Sequence, residues 1–279
     1  MSRDKRSRTA QGVLAERAVL ADMGVISDPF ARGMLAPSWK AYVGLVEHWP
    51  GGKRPWAVAR VGLGTRLLWH DAQLVTALDA GIRQVAVIGA GYDSRAWRFH
   101  RDGVQFFELD HGATQRDKER RAPGPGPTYV AADLTVQSAA AALHAGGLDA
   151  SRPAHFILEG VTMYLGESGA REQLRELAQS SAVGSRITLD FSPPPDAGTA
   201  QDRRQVRFQR LARTGSGEIF RLTVDRPQAS ALVEATGWHI TEATGVREVA
   251  RALIPRESGL PIDAINEHRA LVAGERMSS

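Results

Sequence analysis

The stretch VAVIGAGYDSRAWRF, from Val85 to Phe99, decides the fold of this 279-residue chain. Apolar and β-branched residues run into Gly89, Ala90 and Gly91, and a polar and aromatic segment follows at once. A buried strand that ends in a glycine turn lets the backbone approach a bound small molecule closely. The stretch therefore predicts a ligand site at the carboxyl end of a strand. It leaves open whether the ligand is a dinucleotide, a nucleotide phosphate or another molecule.

Strand and helix patterns alternate downstream of this stretch, which predicts a mostly parallel sheet with helices on both faces. The predicted strands are Gln84–Ile88, Val104–Leu109, Thr128–Ala131, His155–Val161, Arg186–Phe191 and Trp238–Thr241. The predicted helices between them are Thr114–Arg121, Ala139–His144, Gly169–Ala182 and Pro227–Thr236. Two longer helical patterns come first, from Thr9 to about Met23 and from Trp56 to Ala80, with a short helix inside ISDPFARGML, 26–35.

The length and the 43% hydrophobic content allow one complete core. We expect a single domain over 1–279, with N-terminal helices in 1–82 and a cofactor-binding sheet core in 83–192. A lid or acceptor insert would occupy 193–226, and a C-terminal helix and strands would occupy 227–279. The chain shows no internal repeat.

The charge balance limits the classes of partner. Lys and Arg number 35 against 31 Asp and Glu, a net charge of +4, which slightly favours an anionic ligand and does not resemble a nucleic-acid-binding stripe. The chain has no cysteine, so disulfides, Cys-ligated zinc and thiol nucleophiles are excluded, and we predict no metal site. The start, MSRDKRSRTAQ, has no apolar run, and no stretch approaches the roughly 18 apolar residues of a membrane span. We expect a cytoplasmic protein without a membrane or nucleic-acid partner.

The glycine turn matches the dinucleotide fingerprint only in part. That fingerprint requires G-x-G-x-x-G, and here Ser94 stands in place of the third glycine after Gly89 and Gly91. The third glycine serves close packing of helix on strand, so its loss argues against a pyrophosphate site. A P-loop is excluded, since no Gly-Lys-Ser/Thr follows the turn.

Three carboxylates stand at or near the ends of successive predicted strands. Asp110 follows Gly91 by 19 residues, where an acid can accept hydrogen bonds from both ribose hydroxyls. Asp133 comes after the third strand, where it could meet an adenine amino group, and Glu159 belongs to the fourth. Singly, each could be a loop cap or a surface residue. Together they indicate a ligand that carries ribose, adenine and a positive centre, and S-adenosylmethionine fits better than a dianionic pyrophosphate.

Several separated motifs resemble the leucine carboxyl methyltransferase family, including its bacterial branch of S-adenosylmethionine-dependent O-methyltransferases. These motifs are RTAQGVLAERA, SDPFA, VAVIGAGYDSRAWRF, FELDHGATQRDK, LEGVTMYL and the late GWHI. They occur in the family's order from about Thr9 to Trp238. The resemblance implies a class I methyltransferase fold, a Rossmann-like α/β sheet with an N-terminal helical cap, and S-adenosyl-L-methionine as the cofactor.

The resemblance also implies which residues contact that cofactor. They are Arg17, Arg66, Gly89, Ala90, Gly91, Asp110, Asp133, Leu134 and Glu159. The glycine turn would lie under the cofactor, Asp110 would hold the ribose, Asp133 and Leu134 would flank adenine, and Glu159 would face the methionine end. In the family, basic residues before the first strand hold the cofactor's carboxylate; here Arg17 and Arg66 match them, and Arg60 fits the second position as well. Read from its own helix, Arg17 could equally be an arginine whose stem lies along the edge of the core.

The sequence says less about the molecule that would accept the methyl group. Methyl transfer to an already ionised carboxylate requires alignment only, whereas a phenol or alcohol usually requires a base such as histidine. None of the eight histidines stands in a motif that marks a base, and His111 and His155 suit structural roles. We therefore expect an acidic small molecule or natural product to be methylated on a carboxylate, with a phenol or hydroxyl acceptor as the alternative. An NAD(P)-dependent oxidoreductase and a non-catalytic scaffold are further, weaker alternatives. The sequence identifies no catalytic residue and no oligomeric state.

The insert before the last predicted helix is rich in arginine. Its arginines are Arg203, Arg204, Arg207, Arg210 and Arg213. They could form a solvated basic face, or they could recognise an acidic acceptor or cover the cleft. Tyr92 and Tyr164 are further candidates for the pocket, each equally suited to the core.

Overall fold

A computed structural model describes residues 8–48, 56–194, 197 and 220–278. Most of the insert, including its five arginines, lies outside the described residues. Among the described residues, no helix is both long enough and apolar enough to cross a membrane.

The described residues form a seven-stranded sheet, and its mostly parallel arrangement confirms the predicted architecture. The strands are β1 (Gln84–Ile88), β2 (Gln105–Asp110), β3 (Thr128–Ala131), β4 (Ala154–Leu158), β5 (Arg186–Phe191), β6 (His239–Gly245) and β7 (Ala270–Glu275). Their order across the sheet is β3-β2-β1-β4-β5-β7-β6. The first five strands are parallel, and β7 runs antiparallel to both β5 and β6.

Ten α-helices accompany the strands within the described residues. They are α1 (Arg8–Asp22), α2 (Ala31–Met34), α3 (Pro37–His48), α4 (Ala57–Asp79), α5 (Arg95–Arg98), α6 (Gly112–Glu119), α7 (Ala139–Ala145), α8 (Thr162–Gln179), α9 (Arg226–Glu234) and α10 (Val246–Leu253). Apolar residues of α7, α8 and α9 pack on one face of the sheet. Leu74 and Leu78 of α4 pack on the other face against β1, β2 and β4. Helices α1 to α3 form a cap with its own apolar cluster, to which Tyr92 also belongs.

The sequence reading differs from the structure most clearly around α8. The predicted strand His155–Val161 ends at Leu158, and the helix predicted from Gly169 begins at Thr162. Gly160 turns the chain with φ 69°, and Gly166 interrupts the helix with φ 72° and ψ 169°. Because the helical pattern is broken at Gly166, the first turn could not be recognised from periodicity.

Helices α3, α5 and α10 and strand β7 were not predicted. Strand β7 reads ALVAGE and is buried along almost its whole length, so it shows none of the alternation that marks a half-buried strand. Its place between β5 and β6 depends on pairing with residues far away in the chain.

The sheet order brings the candidate site residues to one edge. Strand β1 lies between β2 and β4, and the strand order reverses there: β2 and β3 follow β1 on one side, and the chain then crosses over to place β4 and β5 on the other. Ile88 pairs with Leu109, and Asp110 pairs with Ala131. The glycine turn after β1, the carboxyl end of β2 and the turn after β4 therefore meet at the switch point, where open α/β sheets bind ligands.

Candidate cofactor-binding site

The glycine turn is held tightly against its neighbours. The N–H groups of Gly89 and Ala90 both donate to the carbonyl of Leu109, at 2.7 and 3.1 Å. Gly89 and Gly91 have φ values of 68° and 54°, a region that favours glycine. A Cβ on Gly89 would lie 2.3 Å from Val161 Cγ2, and a Cβ on Gly91 would lie 3.3 Å from Ala10 Cβ of the cap. Both glycines are therefore required by backbone conformation, and the first also by packing.

Asp110 ends β2 beside this turn. Its carboxylate accepts hydrogen bonds from the N–H groups of Gly91 at 2.7 Å and His111 at 2.6 Å. Burial raises the pKa of Asp110 above its usual value, and these two donors oppose that effect. An ionised carboxylate has about four lone-pair sites, so about two remain for further donors. Asp110 is only half-buried, and this spare capacity fits the two hydroxyls of a ribose.

Asp133 and Leu134 follow β3. Asp133 is exposed and accepts from the N–H and hydroxyl of Thr135, at 3.0 and 2.6 Å. These hydrogen bonds lower the pKa of Asp133, so the carboxylate is ionised at neutral pH. Leu134 is half-buried and packs against the sheet core. An acceptor and an apolar surface side by side suit the amino group and the face of an adenine ring.

Glu159 lies beyond the end of β4 in an environment of guanidinium groups. It accepts hydrogen bonds from Arg66 Nε at 3.1 Å and Arg95 Nη2 at 2.7 Å. Burial alone would raise its pKa, but the charges of Arg95 and Arg66 bring the pKa of Glu159 well below its usual range. Glu159 therefore carries a full negative charge inside the site.

Arg95 was not singled out as a functional residue from the sequence. Its fully buried guanidinium pairs with Asp71 at 2.7 Å, Asp93 at 2.5 Å and Glu159 at 2.7 Å. Arg98 pairs with Asp71 from the other side, at 2.5 Å. The signal in the sequence was the Asp-Ser-Arg run directly after the glycine turn, because an arginine in a segment this close to the core requires carboxylates.

The three arginines considered for the cofactor's carboxylate occupy different places. Arg66 lies beside Glu159, and its guanidinium atoms are 3.4 to 3.6 Å from the position a Cβ on Gly160 would take. Arg60, in the first turn of α4, is buried against the cap, where its Nε donates to Glu16 of α1 at 2.6 Å. The structure thus brings Arg66 to the sheet edge and places Arg60 against the cap.

Arg17 is buried where α1 crosses the glycine turn. Its Nη1 donates to the carbonyl of Tyr92 at 2.8 Å, and its Nη2 donates to Ser94 Oγ at 2.6 Å and to Asp28. Burial opposes its charge, but Asp28 and Asp93 raise the pKa of Arg17. The arginine therefore joins the cap to the turn after β1.

A second pair of guanidinium groups lies at the same edge, around Asp190 of β5. Arg269 Nη1 donates to Asp190 Oδ2 at 2.6 Å, and Arg66 Nη1 is 3.5 Å from the same oxygen. Asp190 is fully buried, whereas the side chains of Arg66 and Arg269 are 13% and 14% exposed. Arg269, in the loop before β7, was not predicted, because nothing local marks it.

Two histidines are buried between α4 and the sheet, His70 on α4 and His155 on β4. His70 Nδ1 lies 3.0 Å from Thr188 Oγ1, and neither ring nitrogen of His155 has a hydrogen-bond partner among the described residues. Burial lowers the pKa of His70 to about 4 and that of His155 to about 3, so both are neutral at pH 7. His111 Nδ1 accepts from the N–H of Ala113 at 3.3 Å and caps α6.

The two candidate tyrosines are separated. Tyr92 is buried in the cap cluster and donates to Asp117 Oδ2 at 2.6 Å. Tyr164 is half-buried near Arg66, with its ring 5.6 Å from that of Phe220 in a T-shaped pair. Arg221, next to Phe220, donates its N–H to the carbonyl of Met163 at 2.7 Å, so the end of the insert is fixed on the first turn of α8.

The known proteins to which this chain is similar are methyltransferases by name. The family model of leucine carboxyl methyltransferases matches residues 9–178. A Mycobacteroides abscessus protein named "Putative S-adenosyl-L-methionine-dependent methyltransferase" is 32% identical over 275 residues, covering 87% of each chain. A Mycobacterium avium protein of the same name is 30% identical, covering 92% of this chain and 87% of its own. A crystal structure from Thermobifida fusca, named "putative methyltransferase", is similar to this chain with a TM-score of 0.55 at 16% identity. The match covers 95% of this chain and 94% of that protein.

Proposed function

The chain belongs to the leucine carboxyl methyltransferase family and is an S-adenosylmethionine-dependent methyltransferase, and we propose that it forms a methyl ester on a carboxylate of a small molecule. One observation carries this proposal. Arg269, a second partly exposed arginine beside Arg66, pairs with the buried Asp190 at the candidate ligand edge of the sheet, so the acceptor would meet Arg269 while Arg66 serves the cofactor. Guanidinium is well suited to a carboxylate, which it can hold with two parallel hydrogen bonds.

The cofactor contacts are part of the proposal. Asp110 accepts from the ribose hydroxyls, the glycine turn of Gly89, Ala90 and Gly91 lies under the nucleoside, and Asp133 with Leu134 receives the adenine. Glu159 faces the amino group of the methionine end, and Arg66 holds its carboxylate. Spare acceptor capacity at Asp110 and the ionised state of Glu159 and Asp133 support these roles.

The chemistry that these residues have to support is a direct displacement. Bound S-adenosylmethionine supplies a methyl group on a sulfonium. Transfer of that methyl group to an oxygen of the acceptor carboxylate would replace the C–S bond by a C–O bond and would give a methyl ester and S-adenosylhomocysteine, with no proton to move. The contribution of the protein is therefore alignment, which can supply roughly 7–11 kcal/mol of a barrier. Arg269 would orient the acceptor, and Arg95 would keep Glu159 in place through their ion pair.

The stability of the product to alkali tests the proposal. The enzyme is incubated with S-adenosylmethionine labelled in the methyl group and with matched pairs of probes: benzoate and phenol, phenylacetate and 2-phenylethanol, octanoate and octanol. A methyl ester releases labelled methanol in alkali, whereas a methyl ether does not. We expect alkali-labile label from the acids and from an acidic metabolite extract, and loss of that label in Asp110→Ala. Label that appears only in an alkali-stable product would contradict a carboxylate acceptor.

A hydroxyl acceptor is the second candidate, and one histidine favours it. His268 is half-buried in the loop before β7, directly before Arg269, and its N–H donates to Asn266 Oδ1 at 2.8 Å. An imidazole at this edge could take the proton of a phenol. If the hydroxyl reaction occurs, His268→Ala should abolish alkali-stable methylation. The same variant should leave alkali-labile methylation unchanged if carboxylates are the acceptors.

A further inference from the structure

A row of polar side chains crosses the α4-facing side of the sheet, at the end opposite the glycine turn. His155 pairs in register with Arg186, and Arg186 pairs in turn with Glu275. An imidazole, a guanidinium and a carboxylate therefore stand side by side on β4, β5 and β7. Other residues on this face, including Ile157 and Leu271, are buried and apolar. Polar groups on a face that a helix covers cost free energy unless they have partners.

These side chains line a cavity between α4 and the sheet. Its volume is about 380 Å³, within the roughly 300–1,000 Å³ typical of small-molecule sites. Gln73 of α4, Thr188 of β5 and Glu242 of β6 also line it, so its walls are mostly polar. His155 and Glu159 are separated by about 13 Å along β4, at roughly 3.3 Å per residue. The cavity is therefore distinct from the candidate cofactor site.

His155 brings to this cavity hydrogen-bonding groups that have no protein partner. The residue is 1% exposed, and neither ring nitrogen has a hydrogen-bond partner among the described residues. Because burial lowers the pKa of His155 to about 3, its ring is neutral at pH 7 and has one N–H donor and one acceptor nitrogen. A buried donor without an acceptor is costly. A ligand in the cavity could provide that acceptor.

The two charged members of the row are only loosely paired. Arg186 Nε lies 3.7 Å from Glu275 Oε2, which is too far for a hydrogen bond, and the two side chains are 30% and 31% exposed. In the part of the chain that the structure describes, the guanidinium of Arg186 makes no hydrogen bond. Glu242 is held more firmly, because it accepts from Trp69 Nε1 at 2.9 Å and from Gln73 Nε2 at 2.7 Å.

Opposite charges are thus placed on opposite sides of the cavity. Donors stand on β4 and β5, and carboxylates stand on β7 and β6. We propose that the cavity binds a small zwitterion of the free amino acid class, with its carboxylate on Arg186 and His155 and its ammonium group on Glu275 and Glu242. A guanidinium suits a carboxylate, and an ammonium group has three hydrogens to donate to carboxylate oxygens. The site depends neither on the cofactor contacts nor on the acceptor proposed above.

Binding of amino acids to the full-length protein tests the proposal. Saturation-transfer NMR is recorded with S-adenosylhomocysteine present, so that the cofactor site is occupied. The probes are the standard amino acids, β-alanine and 4-aminobutyrate. The best probe is then compared with the acid that lacks its amino group and with the amine that lacks its carboxyl group. We expect a dissociation constant of about 1 mM or lower for the zwitterion and at least about tenfold weaker binding of each control.

Two substitutions at partly exposed positions test the contacts. Arg186→Met should weaken binding of the zwitterion by about tenfold or more, and Glu275→Gln should do the same. Neither residue belongs to the candidate cofactor site, so the affinity for S-adenosylhomocysteine should stay the same in both variants. Arg171→Met is the matched control, because Arg171 forms an exposed ion pair with Glu167 on α8, and it should leave amino acid binding unchanged.

Three results would overturn the inference. One is the absence of binding by every amino acid probe at about 10 mM. Another is binding that Arg186→Met and Glu275→Gln leave unchanged. The third is equally tight binding of the acid or the amine alone, because the cavity would then not require both charges. The alkali test of the acceptor can succeed or fail separately, since these measurements involve no methyl transfer.

Discussion

Replacing Gly89 with alanine tests whether the turn after β1 is defined by backbone conformation alone or also by packing. Gly89 has φ 68°, where a Cβ costs about 1–2 kcal/mol. The new Cβ would also lie 2.3 Å from Val161 Cγ2, a distance no real contact allows, so Val161 or the turn has to move. Overpacking of this kind typically costs about 1–3 kcal/mol. We expect Gly89→Ala to destabilise the protein by about 2–5 kcal/mol.

Gly103 is a matched control. Its φ is 74°, close to that of Gly89, but a Cβ there would meet nothing within 4 Å. Gly103→Ala should therefore cost only the conformational part, about 1–2 kcal/mol. The difference between the two variants isolates the packing contribution of Val161.

Truncating Val161 completes the cycle. Val161→Ala alone should cost about 1–2 kcal/mol for lost burial, but in the Gly89→Ala background it also removes the clashing methyl. The double variant should then be less destabilised than the two single variants together by about 1–3 kcal/mol. Urea unfolding at 25 °C measures all four proteins, and calorimetry with S-adenosylhomocysteine shows whether binding recovers in parallel. Equal costs at Gly89 and Gly103, with strictly additive effects at Val161, would refute the packing argument.

Three further predictions concern charge and hydrogen bonding. Arg95→Met should destabilise the protein by about 3–5 kcal/mol, because the buried Asp93 loses its ion pair and Glu159 and Asp71 each keep only one of two guanidinium partners. Thermal or urea unfolding that leaves stability within about 1 kcal/mol, on the order of a surface change, would contradict the network. Burial lowers the pKa of His155 to about 3, so the stability contributed by its neutral form is present above about pH 6.5 and is lost as the pH falls toward 3. In His155→Leu, the free energy of unfolding should therefore fall less steeply with decreasing pH, by up to ~1.4 kcal/mol per pH unit. The same pH dependence in wild type and variant between pH 6 and 4 would rule this out. Asp133→Asn should weaken S-adenosylhomocysteine binding by about tenfold through the adenine contact. The control is Asp149→Asn, because Asp149 accepts from the N–H and hydroxyl of Ser151 as Asp133 does from Thr135, but far from the site, so binding should not change. Equal effects of the two variants in calorimetry would remove Asp133 from the site.

Much of the candidate site is visible locally in the sequence. The glycine turn follows a short apolar strand, and Asp110 and Asp133 come directly after or at the end of the next two strands, so a parallel sheet necessarily gathers them at one edge. Ordered motifs such as LEGVTMYL add the family and hence the cofactor. Glu159 fits this pattern too, although the strand before it is shorter than predicted.

The partners of the charged groups could not be predicted from local sequence. Arg95 meets Glu159 across 64 residues, Arg66 meets it across 93, and Arg17 reaches Ser94 across 77. Nothing in the local spacing distinguishes Arg60 from Arg66, and the difference is only that one faces the cap while the other faces the sheet edge. Arg269 joins the site because β7 is placed beside β5.

The sequence alone thus determined the alternation of strand and helix, the glycine turn, the strand-end acids and the membership of a methyltransferase family. The tertiary structure decided which arginine lies at the edge of the candidate site, which one joins the cap to the turn, and that Arg95 and Arg269 lie beside the candidate site residues. The physical reason is one of range. Periodicity and turn chemistry act over a few residues, whereas an ion pair between distant segments exists only once the strand order and the helix crossings have brought its two members together.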